Sequence, residues 1–201
     1  MNFLQLTVYY EKAFNSLNSE VFLNTSEEVL NSVKNSYLES HRWPYYLDNN
    51  KFKIRNILVN HYLFQKFWAE ENGVRIDRNK NWHHEVVFHQ IKKYKPEILF
   101  ISSDSFFSPE FLKKIRTDFL FIKKIVLWQG VFLSNQKQFS KFKYVDHVFT
   151  PSKDILNELS NRVKVDQISF AFDKDVLNDL PIVKKRNEIL FLGSIFLERS
   201  I

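Results

Sequence analysis

Lys95-Pro96-Glu97-Ile98-Leu99-Phe100-Ile101-Ser102-Ser103-Asp104-Ser105-Phe106-Phe107-Ser108-Pro109-Glu110-Phe111 is the stretch whose reading decides the fold. Ile98 to Ile101 are apolar without alternation, the pattern of a strand covered on both faces of a parallel sheet. Pro96 stops whatever precedes them, and the chain turns polar from Ser102 to Ser105. A helix is expected next, with Ser108 as its N-cap, Pro109 at the first helical position and Glu110 against the positive end of the dipole. Phe111, Leu112 and Ile115 give that helix an apolar face. In an open α/β sheet ligands bind at the carboxyl ends of the strands. Asp104, Ser105 and Phe106 are therefore the first candidates for a site.

The segments on either side repeat this strand-then-helix pattern. Phe3 to Tyr9 reads as a first strand, ending at Tyr9-Tyr10-Glu11, and Asn15 to Asn24 as a loop. Thr25 and Glu28 form a capping box, followed at helical spacing by Val29, Leu30, Val33, Tyr37 and Leu38, so a long helix is expected toward Trp43-Pro44. Lys51 to Val59 reads as a second strand. Asn60 is the expected cap of a short helix carrying Phe64, Phe67 and Trp68, which Asn72-Gly73 ends. Trp82 to Tyr94 is helical again, with Val87 and Ile91 inward and Lys92, Lys93 and Lys95 at its negative end. Beyond the central stretch, Lys123 to Trp128 reads as a buried strand broken by Gln129-Gly130. Val145 to Phe149 is the next strand, Thr150-Pro151 starts a helix carrying Ile155, Leu156 and Leu159, and Val163 to Phe170 is a further strand. The fold class is α/β: a Rossmann-like parallel sheet flanked by helices. This domain is expected to span 1–180, with a basic, proline-headed linker over 181–187. Glu188 to Ser194 then opens a new strand and glycine turn, so 188–201 reads as the start of a second, truncated domain.

With 201 residues, 44% hydrophobic and 16% aromatic, the chain can bury a substantial core. The absence of cysteine excludes disulfides and thiolate zinc sites and is compatible with a reducing cytoplasm. Met1 to Tyr10 lacks the pattern of a signal peptide, and the apolar runs fall far short of a membrane span. The net charge of +6 admits attraction to an anionic surface, nucleotide or nucleic acid, or simply a solvated lysine-rich surface. The lysines are scattered, which favours the second. Three glycines leave no phosphate-cradling loop and no dinucleotide fingerprint.

The six histidines are His41, His61, His83, His84, His89 and His147. His84 and His89 are five apart, not the four that stacks two metal ligands on one helix face, so the expectation is surface histidines and no metal. His83 or His84 as a base in a cleft is the catalytic alternative. Asp104 reads equally as a turn cap and as a ligand contact; a phosphoacceptor role would want an acidic pair after the first strand, where only Glu11 stands. Polar or aromatic breaks follow three separate apolar strands, so an acceptor cleft is expected from Tyr9, Tyr10, Glu11, Asp104, Ser105, Phe106, Gln129 and Gly130. Aromatic residues there would stack on a sugar or simply edge the core. Nucleic-acid binding would need basic residues interleaved with exposed aromatics, whereas the aromatics here sit at core periodicity.

The order of segments resembles the N-terminal half of the CgeB-like, spore-maturation-type or family-1-like glycosyltransferases of GT-B architecture. The resemblance lies in Val8-Tyr9-Tyr10-Glu11-Lys12, Gln65-Lys66-Phe67-Trp68-Ala69-Glu70-Glu71-Asn72, Lys95 to Phe100 and Ser105 to Leu112. It continues in Ala171-Phe172-Asp173 with Val176-Leu177, and in Glu188 to Ser194 with Arg199. It implies two Rossmann-like domains facing across a cleft, the first receiving the acceptor and the second binding a nucleotide-sugar donor. Gly193, Ser194 and Arg199 would then lie near the donor phosphates. It further implies sugar transfer from that donor to a glycan or other hydroxyl acceptor, without metal or other cofactor, in surface polysaccharide biosynthesis in the cytoplasm. The remainder of the donor domain is missing from this chain, so the chain alone is expected to be inactive. Peripheral membrane contact and self-association through the terminal strand are compatible with this reading; a nucleic-acid partner is not expected. The remaining alternatives are a non-enzymatic Rossmann-like binding or regulatory module and, third, a basic nucleic-acid binder.

Overall fold

The computed structural model describes residues 1–8, 23–34, 46, 51–77, 81–103, 106–131 and 139–169. Their strands are β1 (Asn2–Thr7), β2 (Lys53–Leu58), β3 (Ile98–Ile101), β4 (Lys124–Trp128), β5 (His147–Thr150) and β6 (Lys164–Gln167). Their helices are α1 (Ser26–Lys34), α2 (Tyr62–Glu71), α3 (Trp82–Tyr94), α4 (Pro109–Asp118) and α5 (Lys153–Leu159), with a 3₁₀ turn over Ser140–Tyr144. The strands form one six-stranded sheet in the order β2-β1-β3-β4-β5-β6, every described pair parallel. This is an α/β Rossmann-like fold, with β3 and β4 as neighbouring central strands.

Register and the alternation of side chains along a strand sort the two faces. Leu4, Leu6, Ile57, Leu99, Ile101, Ile125, Leu127 and Val148 share one face and are all buried. They form one core with Val87 and Ile91 of α3, Leu112 and Ile115 of α4, and Ile155 and Leu159 of α5. Each step from β2 to β6 moves the same way across the sheet, and right-handed crossovers then lay those helices on the same face. The opposite face is more mixed. It carries the buried polar ladder Gln5, Thr7 and Asn56, in which Gln5 Nε2 donates to Thr7 Oγ1 (2.9 Å) and Thr7 Oγ1 to Asn56 Oδ1 (2.7 Å).

The helix ends follow local chemistry. Ser108 Oγ accepts from Phe111 N (3.2 Å), with Pro109 in the first turn of α4. Thr25 and Glu28 exchange both bonds of the capping box, Glu28 N to Thr25 Oγ1 (3.2 Å) and Thr25 N to Glu28 Oε2 (3.1 Å). At the end of α2, Asn72 is the C-cap and Gly73 adopts φ +65°, a conformation a side chain would strain. Lys95 takes the same left-handed conformation after α3, at φ 45°. Replacing Lys95 with glycine is expected to raise stability by about 1 kcal/mol, read from the urea midpoint.

Several expectations are corrected. The cap of α2 is His61, not Asn60: His61 is extended (φ −84°, ψ 103°) and its Nδ1 accepts from Phe64 N (3.2 Å). β5 starts at His147 rather than Val145, because the Asp146 carboxylate is drawn off to Ile125 N (2.6 Å) and the Arg116 guanidinium. The following helix begins at Lys153, capped by Ser152, rather than at Thr150-Pro151. β4 is not evenly buried. Ile125 and Leu127 are enclosed, whereas Val126 and Trp128 on the other face are half-buried. β6 is a short edge strand with mostly exposed residues. Residues 35–45, where the first long helix was expected to continue, and 170–201, with the linker and second domain, lie outside the described residues.

Candidate functional site

Each helix on the covered face returns the chain against the strand direction, so α2, α3 and α4 all start at the carboxyl edge of the sheet. The apolar run of β3 ends at Ser102, whose N–H still bonds Leu6 O (3.0 Å), so the loop to α4 leaves from a strand held on that side. Phe107 turns inward, 3% exposed, and stacks on Phe111 with centroids 5.3 Å apart. That packing leaves Phe106 half-buried beside the first turn of α3.

There the structure brings together His83, His84 and Phe106. His84 Nε2 lies 3.0 Å from Phe106 O, and the His84 ring stacks on Phe111 at 4.3 Å. The His83 ring lies edge-on to Phe106 at 5.0 Å and 3.9 Å from Trp82, which meets Tyr62 at the start of α2 at 5.7 Å. An aromatic wall thus runs from the first turn of α2 to that of α4. Both histidines are half-buried rather than surface groups. Burial first, and the adjacent His84 second, push the pKa of His83 below its ordinary value, so its imidazole is neutral at pH 7. A neutral imidazole beside an aromatic wall can orient a hydroxyl-bearing ring compound and accept its proton.

His61 stands at the same edge, 2% exposed, with burial pulling its pKa down to about 4. Its role is to cap α2. Gln129 follows β4 and is fully buried; its N–H bonds Phe149 O (2.9 Å), its Nε2 bonds Val131 O (2.6 Å), and its Oε1 has no hydrogen-bond partner. Gly130 is exposed, and a Cβ there would come 3.1 Å from Trp128 Nε1.

No family model matches this chain, and no curated protein does. Among solved structures, UDP-GlcNAc 2-epimerase from Neisseria meningitidis bound to UDP-GlcNAc matches with a TM-score of 0.45 at 9% identity. The match covers 82% of this chain and 45% of that one, so the chain spans less than half the length of that enzyme.

Of the expected site residues, Phe106, Gln129 and Gly130 follow the neighbouring central strands β3 and β4 at one edge of the sheet. His83 and His84 join Phe106 there. Tyr9, Tyr10, Glu11, Asp104 and Ser105 lie outside the described residues, as do Gly193, Ser194 and Arg199. Sequence reasoning did not foresee Trp82 and Tyr62 as parts of the wall. The signal was present, since each occupies the first turn of a helix that follows a loop at the carboxyl edge. No described helix is long and apolar enough to cross a membrane.

Proposed function

We propose that the chain is the acceptor-side domain of a GT-B-type glycosyltransferase, transferring a sugar from a nucleotide-sugar donor to a hydroxyl of a glycan or similar acceptor. The observation that carries this reading is the meeting of His83, His84 and Phe106 at the carboxyl edge of a parallel sheet, where such folds take ligands. The resemblance of the segment order to CgeB-like enzymes supports it. In the reaction the acceptor oxygen bonds to the anomeric carbon, the bond from that carbon to the donor diphosphate breaks, and the acceptor proton passes to a base. His83 fits the last role because burial keeps it unprotonated. Phe106 and Trp82 would hold the acceptor ring, and Tyr9, Tyr10, Glu11, Asp104 and Ser105 would complete the cleft. Gly193, Ser194 and Arg199 would serve the donor phosphates. This assignment uses domain limits of 1–180 and 188 onward, takes the donor as a substrate with no metal, and sets the reaction in cytoplasmic surface-polysaccharide synthesis.

The test is histidine-selective NMR of the chain titrated with a panel of neutral and acidic oligosaccharides. Saturable shifts of the His83 and His84 ring signals with at least one acceptor are expected, weakened in His84→Ala. In the full-length enzyme, His83→Ala should lower turnover about 100-fold with acceptor affinity little changed. A folded chain whose His83 and His84 signals ignore every sugar overturns the reading and leaves a non-enzymatic Rossmann-like module.

A further inference from the structure

A cleft of about 920 Å³ lies along the outer edge of β2, between α1, α2 and the last turn of α3. Its volume is that of a small-molecule site. It is far from the histidines: Tyr94 in its wall is ten residues along α3 from His84, about 15 Å at helical rise.

The lining holds two cations, Arg55 and Lys93, and two carboxylates, Glu27 and Glu71. The Arg55 guanidinium lies 4.3 Å over the ring of Tyr94. Tyr94 is itself held, its hydroxyl accepting from Nε1 of the buried Trp68 at 2.5 Å. Arg55 makes no ion pair or hydrogen bond with another described residue, so its N–H donors have no acceptor among the described residues, while the Tyr94 ring lies beneath it. Lys93, 6.0 Å from the Trp68 ring, adds a second positive charge. Glu71, in the same wall, accepts from Ser26 N and Ser26 Oγ, both at 2.7 Å, and pairs with neither cation. Asn56, 5% exposed, also lines the cleft; it lies on the face of β2 opposite Arg55, its Oδ1 accepts from Thr7 and its Nδ2 has no hydrogen-bond partner. Glu27 is the remaining acid among the described lining residues. The planar guanidinium fork of an arginine matches the bidentate geometry of carboxylate or phosphate.

We infer that this cleft binds a small organic anion through a carboxylate or phosphate group seated on Arg55, as a ligand site separate from the carboxyl edge. The experiment is a titration of the chain with citrate and, separately, with glucose 6-phosphate, at constant ionic strength, following the Trp68 indole N–H by NMR. Saturation at or below about 1 mM by at least one probe is expected. Saturation by citrate alone assigns a carboxylate ligand, and by glucose 6-phosphate alone a phosphate ligand. Arg55 is exposed, so Arg55→Gln should keep its melting temperature and weaken binding at least about tenfold. Arg55→Lys, which keeps the charge and loses the fork, should fall between the two. No saturable shift with either probe, or equal affinity in Arg55→Gln, overturns the inference.

Discussion

Leu99→Ala is expected to lower the unfolding free energy by about 2–5 kcal/mol. Leu99 is fully buried on the helix-covered face of β3, in register with Leu4 on one side and Ile125 on the other. The cavity would open among strands fixed by ladders on both sides, where collapse is least able to fill it, so the cost should lie in the upper half of that range. The control is Leu120→Ala at a side chain 89% exposed, which should change stability by less than about 0.5 kcal/mol. Urea unfolding of the two variants decides the matter. A Leu99→Ala midpoint equal to that of wild type would mean that β3 is not a core strand.

The second large effect is acid destabilisation through His61. Its folded-state pKa is pulled from 6.5 to about 4 by burial, and Nδ1 must stay unprotonated to accept from Phe64 N. The unfolded chain therefore binds the proton more readily than the folded one between those values. The stability it contributes is intact above pH 6.5 and is lost as pH falls toward 4, by about 3 kcal/mol in all. His83 acts in the same direction, its pKa also lowered by burial. The carboxylates lose their contributions lower, below their ordinary 4.5. Glu28 is held down mainly by the Asn24 N–H, Glu97 by Lys123, and Glu110 by its own backbone N–H. His61→Asn keeps a capping acceptor without a titrating ring. Between pH 7.5 and 4.5 its unfolding free energy should fall markedly less than that of wild type. Parallel pH profiles would show that His61 binds its proton as readily in the fold as in the unfolded chain.

Much of this architecture is written locally. Ser108-Pro109-Glu110, the Thr25/Glu28 box and the unbroken run Ile98 to Ile101 each satisfy their own backbone or hydrophobic requirement within a few residues, and α3 runs over Trp82–Tyr94 as its periodicity requires. At the start of β5 the sequence reading failed because partners distant along the chain had intervened. Asp146 belongs to an apolar-flanked run, yet its carboxylate serves Ile125 N and Arg116, and the strand starts one residue later. Histidine is an uncommon helix cap, and only burial, by keeping its ring neutral, makes His61 suitable.

The candidate site divides in the same way. That the loops after β3 and β4 are the candidate edge follows from where the apolar runs stop, and Phe106, Gln129 and Gly130 could be named from that alone. Which histidine meets which aromatic could not. His84 and Phe106 are 22 residues apart, and the Asn56 that closes the Gln5–Thr7 ladder is 49 residues from Thr7. The sequence by itself determined the main elements, the caps at Thr25 and Ser108 and the parallel α/β class, because hydrophobic periodicity and cap chemistry act over a single turn or strand. Only the tertiary structure decided the strand order, the burial that neutralises His61 and His83, and the pairing of His83 and His84 with Phe106. Those depend on which faces the crossovers bring together, and desolvation exists only once the faces have met.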